Sequence, residues 1–293
     1  MNDYLLSTLL GIVEGLTEFL PVSSTAHLRI SEALLGIDLG NGFWKMYSIV
    51  IQLGAILCLP IYFRSRIAKF IRTFPHGERG DRTVANHPLT LVIIAFVCTA
   101  VPAFLLTKVI GKHLESLTVM GWSLLVGGII MWIVDRIYGQ PREGGRFRTE
   151  HMEEMTLGQS IWIGICQIAS AVFPGTSRSM STIAAGQLAG MSRPSALEFS
   201  FFLSMPTMVA ATGYDLLRTL HPKHGAAPLG TMPTNGHEWM VLLIGFVVSF
   251  FVAWGVVAWF MNWVRQRGFT PFAIYRIVVG AALLIWVMKG HGG

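Results

Sequence analysis

The chain has 293 residues, and only 13% of them are charged, against roughly 25% in soluble globular domains. Apolar residues make up 53%, or about 64% with the 31 glycines, against a soluble norm of about 45–50%. Basic residues exceed acidic ones, 22 to 16, for a net charge of +6; with so little polar surface, the composition excludes an ordinary soluble enzyme, a disordered chain and a nucleic-acid binder, and indicates a polytopic membrane protein.

In chain order, the first ten residues have no basic n-region and no small-residue cleavage site, so no removable signal peptide is expected. Residues 5–20 form an apolar stretch that breaks at Pro21, passes through a Ser/Thr-rich turn and resumes as a short helix. Residues 43–63, 88–108 and 117–137 follow, each near the 20 or so apolar residues that a bilayer crossing needs. A second broken stretch, 157–173, is interrupted at Pro174 in the same manner, and 196–217, 238–261 and 271–288 bring the crossings to six. Cys58, Cys98 and Cys166 lie in apolar stretches without metal-ligand spacing and read as small hydrophobes.

The loops set the expected orientation. Arg64, Arg66, Lys69, Arg72, Arg79 and Arg82 lie between the first and second crossings, Arg136, Arg142, Arg146 and Arg148 after the third, and Arg265 and Arg267 between the fifth and sixth. The long loop after the fourth has only Arg218 and Lys223. The positive-inside rule places the first three groups in the cytoplasm and the last loop outside, with both termini outside.

The two broken stretches can be superposed. Glu14-Gly-Leu-Thr-Glu-Phe-Leu-Pro21-Val-Ser-Ser-Thr25 aligns with Gln167-Ile-Ala-Ser-Ala-Val-Phe-Pro174-Gly-Thr-Ser-Arg178 at an offset of 153 residues, which sets Ser24 on Ser177. Three crossings follow each copy, so the second copy starts from the opposite side of the membrane, the signature of an inverted-topology repeat spanning approximately 1–140 and 150–293 of one integral domain, 1–293. Two unrelated Pro-Ser kinks are the bland alternative. Irregular backbone inside a bilayer must be buried in protein or line a wet cavity, so the two breaks are expected to meet and share one site.

Glu14 and Glu18 are four residues apart and share a helix face. Carboxylates in an apolar segment are costly unless paired, hydrated or metal-bound, so the pair either shares a proton, holds a hard divalent cation or lines a polar vestibule. Ser24 and His27 lie three residues apart and face the same way if a helix restarts near Ser23. A hydroxyl beside an imidazole or carboxylate is a minimal activated nucleophile; a structural histidine is the alternative.

In the second break Gly175 permits a tight turn or close approach of a ligand. Thr176, Ser177, Ser179, Ser181 and Thr182 offer hydroxyls, and the N–H groups of the restarting helix form an anion site to which Arg178 adds a fork matched to phosphate oxygens. A structural ion pair of Arg178 with one of the glutamates competes with that reading. Arg193 and Glu198 have no assigned role at this stage.

These segments resemble the two signature motifs of the bacterial undecaprenyl-diphosphatase family, also called the bacitracin-resistance protein family, and the resemblance covers nearly the whole chain. It implies an all-α polytopic membrane protein with six transmembrane helices plus two re-entrant helix-break-helix segments, often a dimer, so that a homodimer is a possible assembly. It implies hydrolysis of undecaprenyl diphosphate, a C55 isoprenoid lipid of cell-wall synthesis, to undecaprenyl phosphate and inorganic phosphate. It also implies a divalent cation, Mg²⁺ or Ca²⁺, and a bacterial inner-membrane site opening to the periplasm. Family roles match Glu14 and Glu18 as the acidic pair, Ser24 as nucleophile, His27 as an essential histidine, and Ser177, Arg178 and Thr182 as diphosphate-binding residues. The family usually has glycine where this chain has Ala26, which fits if position 26 is helical. A lipid-phosphate transporter or flippase without hydrolysis is the rival expectation, since broken helices in an inverted repeat are also a transporter architecture.

Overall fold

The computed structural model describes residues 2–38, 41–106, 116–141, 147–221 and 230–291. Lys108, Arg142, Arg146, Lys223 and the end of the second expected crossing lie outside them. The described chain is helical: α1 Asp3–Thr17, α2 Ser24–Leu34, α3 Gly42–Tyr62, α4 Arg64–Thr73, α5 Pro88–Leu105, α6 Leu117–Tyr138, α7 Leu157–Val172, α8 Arg178–Leu188, α9 Arg193–Leu220, α10 Gly236–Arg267 and α11 Thr270–Trp286. Extended pairing among the described residues is limited to one isolated bridge, Thr149 with Met191.

Among the described residues, five helices are long and apolar enough to cross a membrane: Gly42–Tyr62, Pro88–Leu105, Leu117–Tyr138, Gly236–Arg267 and Thr270–Lys289. The chain is therefore an all-α, multi-pass membrane protein. The remaining expected crossing, 196–217, the fourth in chain order, falls within α9, which has 28 residues but is rich in Ser and Thr and carries Arg193, Glu198, Asp215 and Arg218. Both broken stretches form a helix, a non-helical break and a second helix, α1–α2 and α7–α8.

The helices group into two compact units. The first comprises Met1–Phe19, Ser24–Tyr62 and Met205–Ala258. Here α1 lies directly on α10: Ser7 Oγ donates to the Val241 carbonyl at 2.6 Å, and a Cβ added at Gly11 would lie 2.9 Å from the Gly245 carbonyl. From α3, Tyr47 donates to the Ser7 carbonyl at 2.6 Å, and Ser249 of α10 donates to the Ile51 carbonyl at 2.7 Å. Leu6, Leu10, Leu28, Ile37, Tyr47, Ile51 and Val241 form the apolar cluster around these contacts.

The second unit comprises Leu20–Ser23, Phe63–Ser204 and Trp259–Gly293. In it α7 lies on α5 by the same device: Ser160 Oγ donates to the Leu91 carbonyl, Gly164 faces Ala95, and Thr99 donates to the Gly164 carbonyl at 2.7 Å. Ser7 and Ser160 are 153 residues apart, as are Gly11 and Gly164. Small residues and hydroxyls suit such interfaces, because lipid tails provide no hydrophobic drive and close packing must supply the attraction. Elsewhere in this unit α6 and α11 meet through glycines, a Cβ at Gly280 falling 2.9 Å from the Gly121 carbonyl.

Candidate active site

The first break is built from Glu18 to Ser23. Helix α1 ends as Glu18 caps it, its N–H donating to the Glu14 carbonyl at 2.9 Å. The chain then turns, and Ser23 takes a positive φ of 76° before α2 begins at Ser24. Outside glycine such a conformation is uncommon and stores strain that the surrounding structure must hold. The turn brings Ser24 back to Glu18: Ser24 Oγ donates to Glu18 Oε2 at 2.6 Å, with both groups buried.

Glu14 lies one turn before Glu18, fully buried, and neither carboxylate oxygen has a hydrogen-bond partner among the described residues. The carboxylates of Glu18 and, more weakly, Glu32 act on it electrostatically. Glu32 is itself buried and held by Arg29 at 2.9 Å and by the Ser48 hydroxyl at 3.0 Å. His27 is half-buried one turn beyond Ser24 on α2, and Thr25 is exposed. Ala26 is fully buried within α2 without positive φ, so alanine fits there. The Ser24 hydroxyl is thus partnered by the Glu18 carboxylate.

The second break runs from Phe173 to Ser177. Gly175 has φ 91°, and a Cβ there would lie 2.8 Å from the Met120 backbone, so glycine is required by the turn and by the approach of α6. Ser177 has φ 73° and ψ 120° and caps α8, its Oγ accepting from the Met180 N–H at 3.3 Å. Ser177 and Ser179 hydroxyls pair at 3.0 Å, and Ser179 donates to the Leu20 carbonyl at 2.9 Å. Ser181 donates to the Ser177 carbonyl, while Thr182 donates to the Arg178 carbonyl and pairs with Ser200 at 2.7 Å. Thr176 is half-buried, and Arg178, the first residue of α8, donates to the Ser200 carbonyl at 3.3 Å. Most of the expected phosphate-binding hydroxyls therefore already hold bonds within the protein, and the Arg178 guanidinium is itself bonded to the Ser200 carbonyl; Arg178 stands at the start of α8, the end of a helix at which N–H groups favour an anion.

The two breaks come together within the second unit. Arg276 of α11, fully buried, donates through Nη1 to the Pro21 carbonyl and through Nη2 to the Gly175 carbonyl, both at 3.1 Å, and through Nη2 to the Ser123 carbonyl at 3.0 Å. One guanidinium thus satisfies a carbonyl from each break. The backbone also refines the superposition: the prolines are 153 residues apart, but the strained serines Ser23 and Ser177 and the helix starts Ser24 and Arg178 are 154 apart. Ser177 therefore corresponds to Ser23, not Ser24, because the second break is one residue longer after its proline.

Sequence reasoning missed Arg276 and Glu32. A single arginine inside the apolar run 271–288 was the available signal for the first, since an unsupported charge there is costly. Arg193 and Glu198 acquire partners: Arg193 Nε meets Asp135 at 2.7 Å, and Glu198 accepts from Arg66 Nε at 2.8 Å. Among the described residues no three or more His, Cys, Asp or Glu side chains form a metal-holding group.

The fold and these residues define a class: a multi-pass helical membrane protein with a buried carboxylate–hydroxyl pair in one broken helix pair and an arginine at a helix start in the other. The chain belongs to the family described as bacitracin resistance protein BacA, whose model matches residues 7–282. It is 68% identical over 290 residues to an undecaprenyl-diphosphatase of Koribacter versatilis (strain Ellin345), covering 99% of this chain and 100% of that one. An undecaprenyl-diphosphatase of Rhizobium etli (strain CIAT 652) is 39% identical over 289 residues, 98% of each chain, and one of Caldanaerobacter subterraneus subsp. tengcongensis is 37% identical over 281 residues, 96% of this chain and 95% of that one.

Proposed function

We propose that this protein hydrolyses undecaprenyl diphosphate to undecaprenyl phosphate and inorganic phosphate in the bacterial inner membrane. The substrate follows from the relatives, of which the 68% identical one is an undecaprenyl-diphosphatase along its whole length. The chemistry rests on the 2.6 Å bond from Ser24 Oγ to Glu18. Ser24 Oγ attacks the terminal phosphorus while Glu18 takes the hydroxyl proton, and the bond from phosphorus to the bridging oxygen breaks, releasing the lipid monophosphate. Glu18 gives that proton to the departing lipid phosphate, then takes one from a water that attacks the phosphoserine phosphorus, and returns it to Ser24 Oγ as the serine–phosphorus bond breaks and inorganic phosphate leaves. His27 is the alternative base or nucleophile. Arg178 and the first-turn N–H groups of α8 neutralise phosphoryl oxygens.

Glu14 supports a divalent cation, Mg²⁺ or Ca²⁺: a fully buried carboxylate without hydrogen-bond partners among the described residues, beside a second carboxylate, is a hard oxygen donor set. Glu14 and Glu18 would hold it, with substrate oxygens and water as the other ligands, since two carboxylates alone are too few. It would supply positive charge against the phosphoryl oxygens when bound.

The full architecture belongs to the same proposal: six crossings with α9 as the fourth, α1–α2 and α7–α8 as re-entrant pairs, and an inverted repeat. The matching Ser7/Gly11 and Ser160/Gly164 contacts support the repeat. A periplasmic opening is drawn from the loop charges, and a homodimer from the family resemblance alone. The test is phosphate release from undecaprenyl diphosphate by purified protein, with and without chelator. Turnover that falls on chelation and returns with Mg²⁺ or Ca²⁺ is expected. No phosphate release would leave a non-hydrolytic flippase; release indifferent to chelator would remove the cation.

A further inference from the structure

Helix α4 and the loop after it carry exposed groups that play no part in the site. Ile71 is 62% exposed, Val84 56% and Phe74 47%, and the guanidinium-bearing residues Arg64, Arg72 and Arg79 are exposed beside them. Other cations of the segment are engaged: Arg66 by Glu153 and Glu198, Lys69 by Glu78 at 2.7 Å, and Arg82 by Asp81 at 4.0 Å. Arg64, Arg72 and Arg79 take part in no ion pair among the described residues.

We propose that α4 and residues 74–84 form an interfacial element that lies on the membrane surface and binds the head groups of anionic phospholipids. The depth of α4 is fixed at both ends. Its start lies two residues after Tyr62, the last residue of the membrane-crossing α3. The end of α4 is pinned to the start of the next crossing: the Phe70 and Phe74 rings meet His87 edge-on with centroids 6.2 and 5.1 Å away. His87 caps α5, its Nδ1 accepting from the Leu89 N–H. A helix held at the height where the chain leaves and re-enters the bilayer sits among lipid head groups.

That position accounts for both kinds of exposed residue. Ile71, Phe74 and Val84 would leave apolar surface in water, whereas at the head-group boundary they enter the acyl region. Arg64, Arg72 and Arg79 then face lipid phosphates, and long arginine side chains reach such groups while their stems stay in apolar surroundings. Three unpaired positive charges select anionic over zwitterionic lipid, as a neutral surface offers them no net charge.

Two measurements on the full chain test this. In the first, Cys58, Cys98 and Cys166 are replaced by Ala, and single spin labels are attached at Ile71→Cys and, as a control on the exposed loop, Asp81→Cys. In phosphatidylglycerol nanodiscs the label at 71 should collide with oxygen more than with a water-soluble nickel chelate, and the label at 81 should do the reverse. In the second, native mass spectrometry compares phosphatidylglycerol and phosphatidylcholine retained from mixed micelles by the wild type and by Arg64→Gln/Arg72→Gln/Arg79→Gln. Preference for the anionic lipid should fall by up to about fivefold for each charge removed. A water-like label at 71, as an element reserved for a soluble acidic protein would give, or an unchanged lipid ratio in the triple variant, would overturn the proposal.

Discussion

Glu18 and Ser24 are six residues apart, yet their oxygens meet at 2.6 Å because the chain between them turns through a strained serine. Holding a hydroxyl against a buried carboxylate before substrate arrives removes the need to find that geometry during the reaction. Glu18→Gln keeps the shape of the side chain but cannot take the proton. It should lower kcat by about 10²–10⁴-fold, with a much smaller effect on KM, measured by phosphate release from the purified variant. Arg276 acts differently, since it binds carbonyls from both breaks. Arg276→Ala strands buried carbonyls, each costing about 1–3 kcal/mol. It should lower the melting temperature as well as activity, and Arg276→Lys should restore only part of either because an ammonium lacks the planar fork; an unchanged melting temperature would contradict the bridging role.

At the scale of elements, the helices are fastened at their ends by ion pairs and along their lengths by small residues. Asp135, at the end of α6, accepts from Arg193 and Gln187 and from the Phe269 and Thr270 N–H groups, so it caps the start of α11 and thereby fixes the register of Arg276 two turns on. Arg66 of α4 holds both Glu153 and Glu198, tying α4 to α9. Burial is the largest single influence on Glu153 and works to raise its pKa, but the hydrogen bonds from Arg66, a backbone hydrogen bond and the charges of Arg66 and Lys69 together outweigh it and hold the carboxyl below its usual range. A depressed acid contributes stability that is complete above its unfolded value, near 4.5, and lost as pH falls through the folded value. Melting curves in detergent should therefore drop below about pH 4.5 by more in the wild type than in Glu153→Gln. An equal drop in both would mean that the contact contributes nothing in solution, the common fate of partly exposed ion pairs.

For the whole molecule, the proposed sidedness rests on loop charge. By the positive-inside rule the segment that includes Arg64, Arg72 and Arg79 and the end of α10 with Arg265 and Arg267 are expected in the cytoplasm, and the loop after α9 outside. A cysteine at Gly80, in a chain freed of its native cysteines, should react with a membrane-impermeant reagent only after the membrane is opened. One at Gly225, which lies outside the described residues, should react in intact spheroplasts. Reversed labelling would turn the site toward the cytoplasm and remove the geometric basis for recycling a carrier lipid released on the outer side.

Composition alone determined that the chain is a helical membrane protein, because a bilayer accepts only long apolar segments with satisfied backbones, and that requirement is written locally in the residues. The two breaks, the acidic pair at Glu14 and Glu18, and Ser24 were legible for the same reason: proline, glycine and charge are conspicuous in an apolar run. What the tertiary structure decided was which polar atoms are already engaged. Ser177, Ser179 and Thr182 look like free donors in the sequence, but their hydroxyls bond to one another, to Leu20, to Arg178 and to Ser200. Arg276 was visible as a charge, but its acceptors are carbonyls 255 and 101 residues away. A backbone carbonyl has no residue-type signature, so no spacing rule can pair it with a distant guanidinium; only the packing of α11 against the breaks does so.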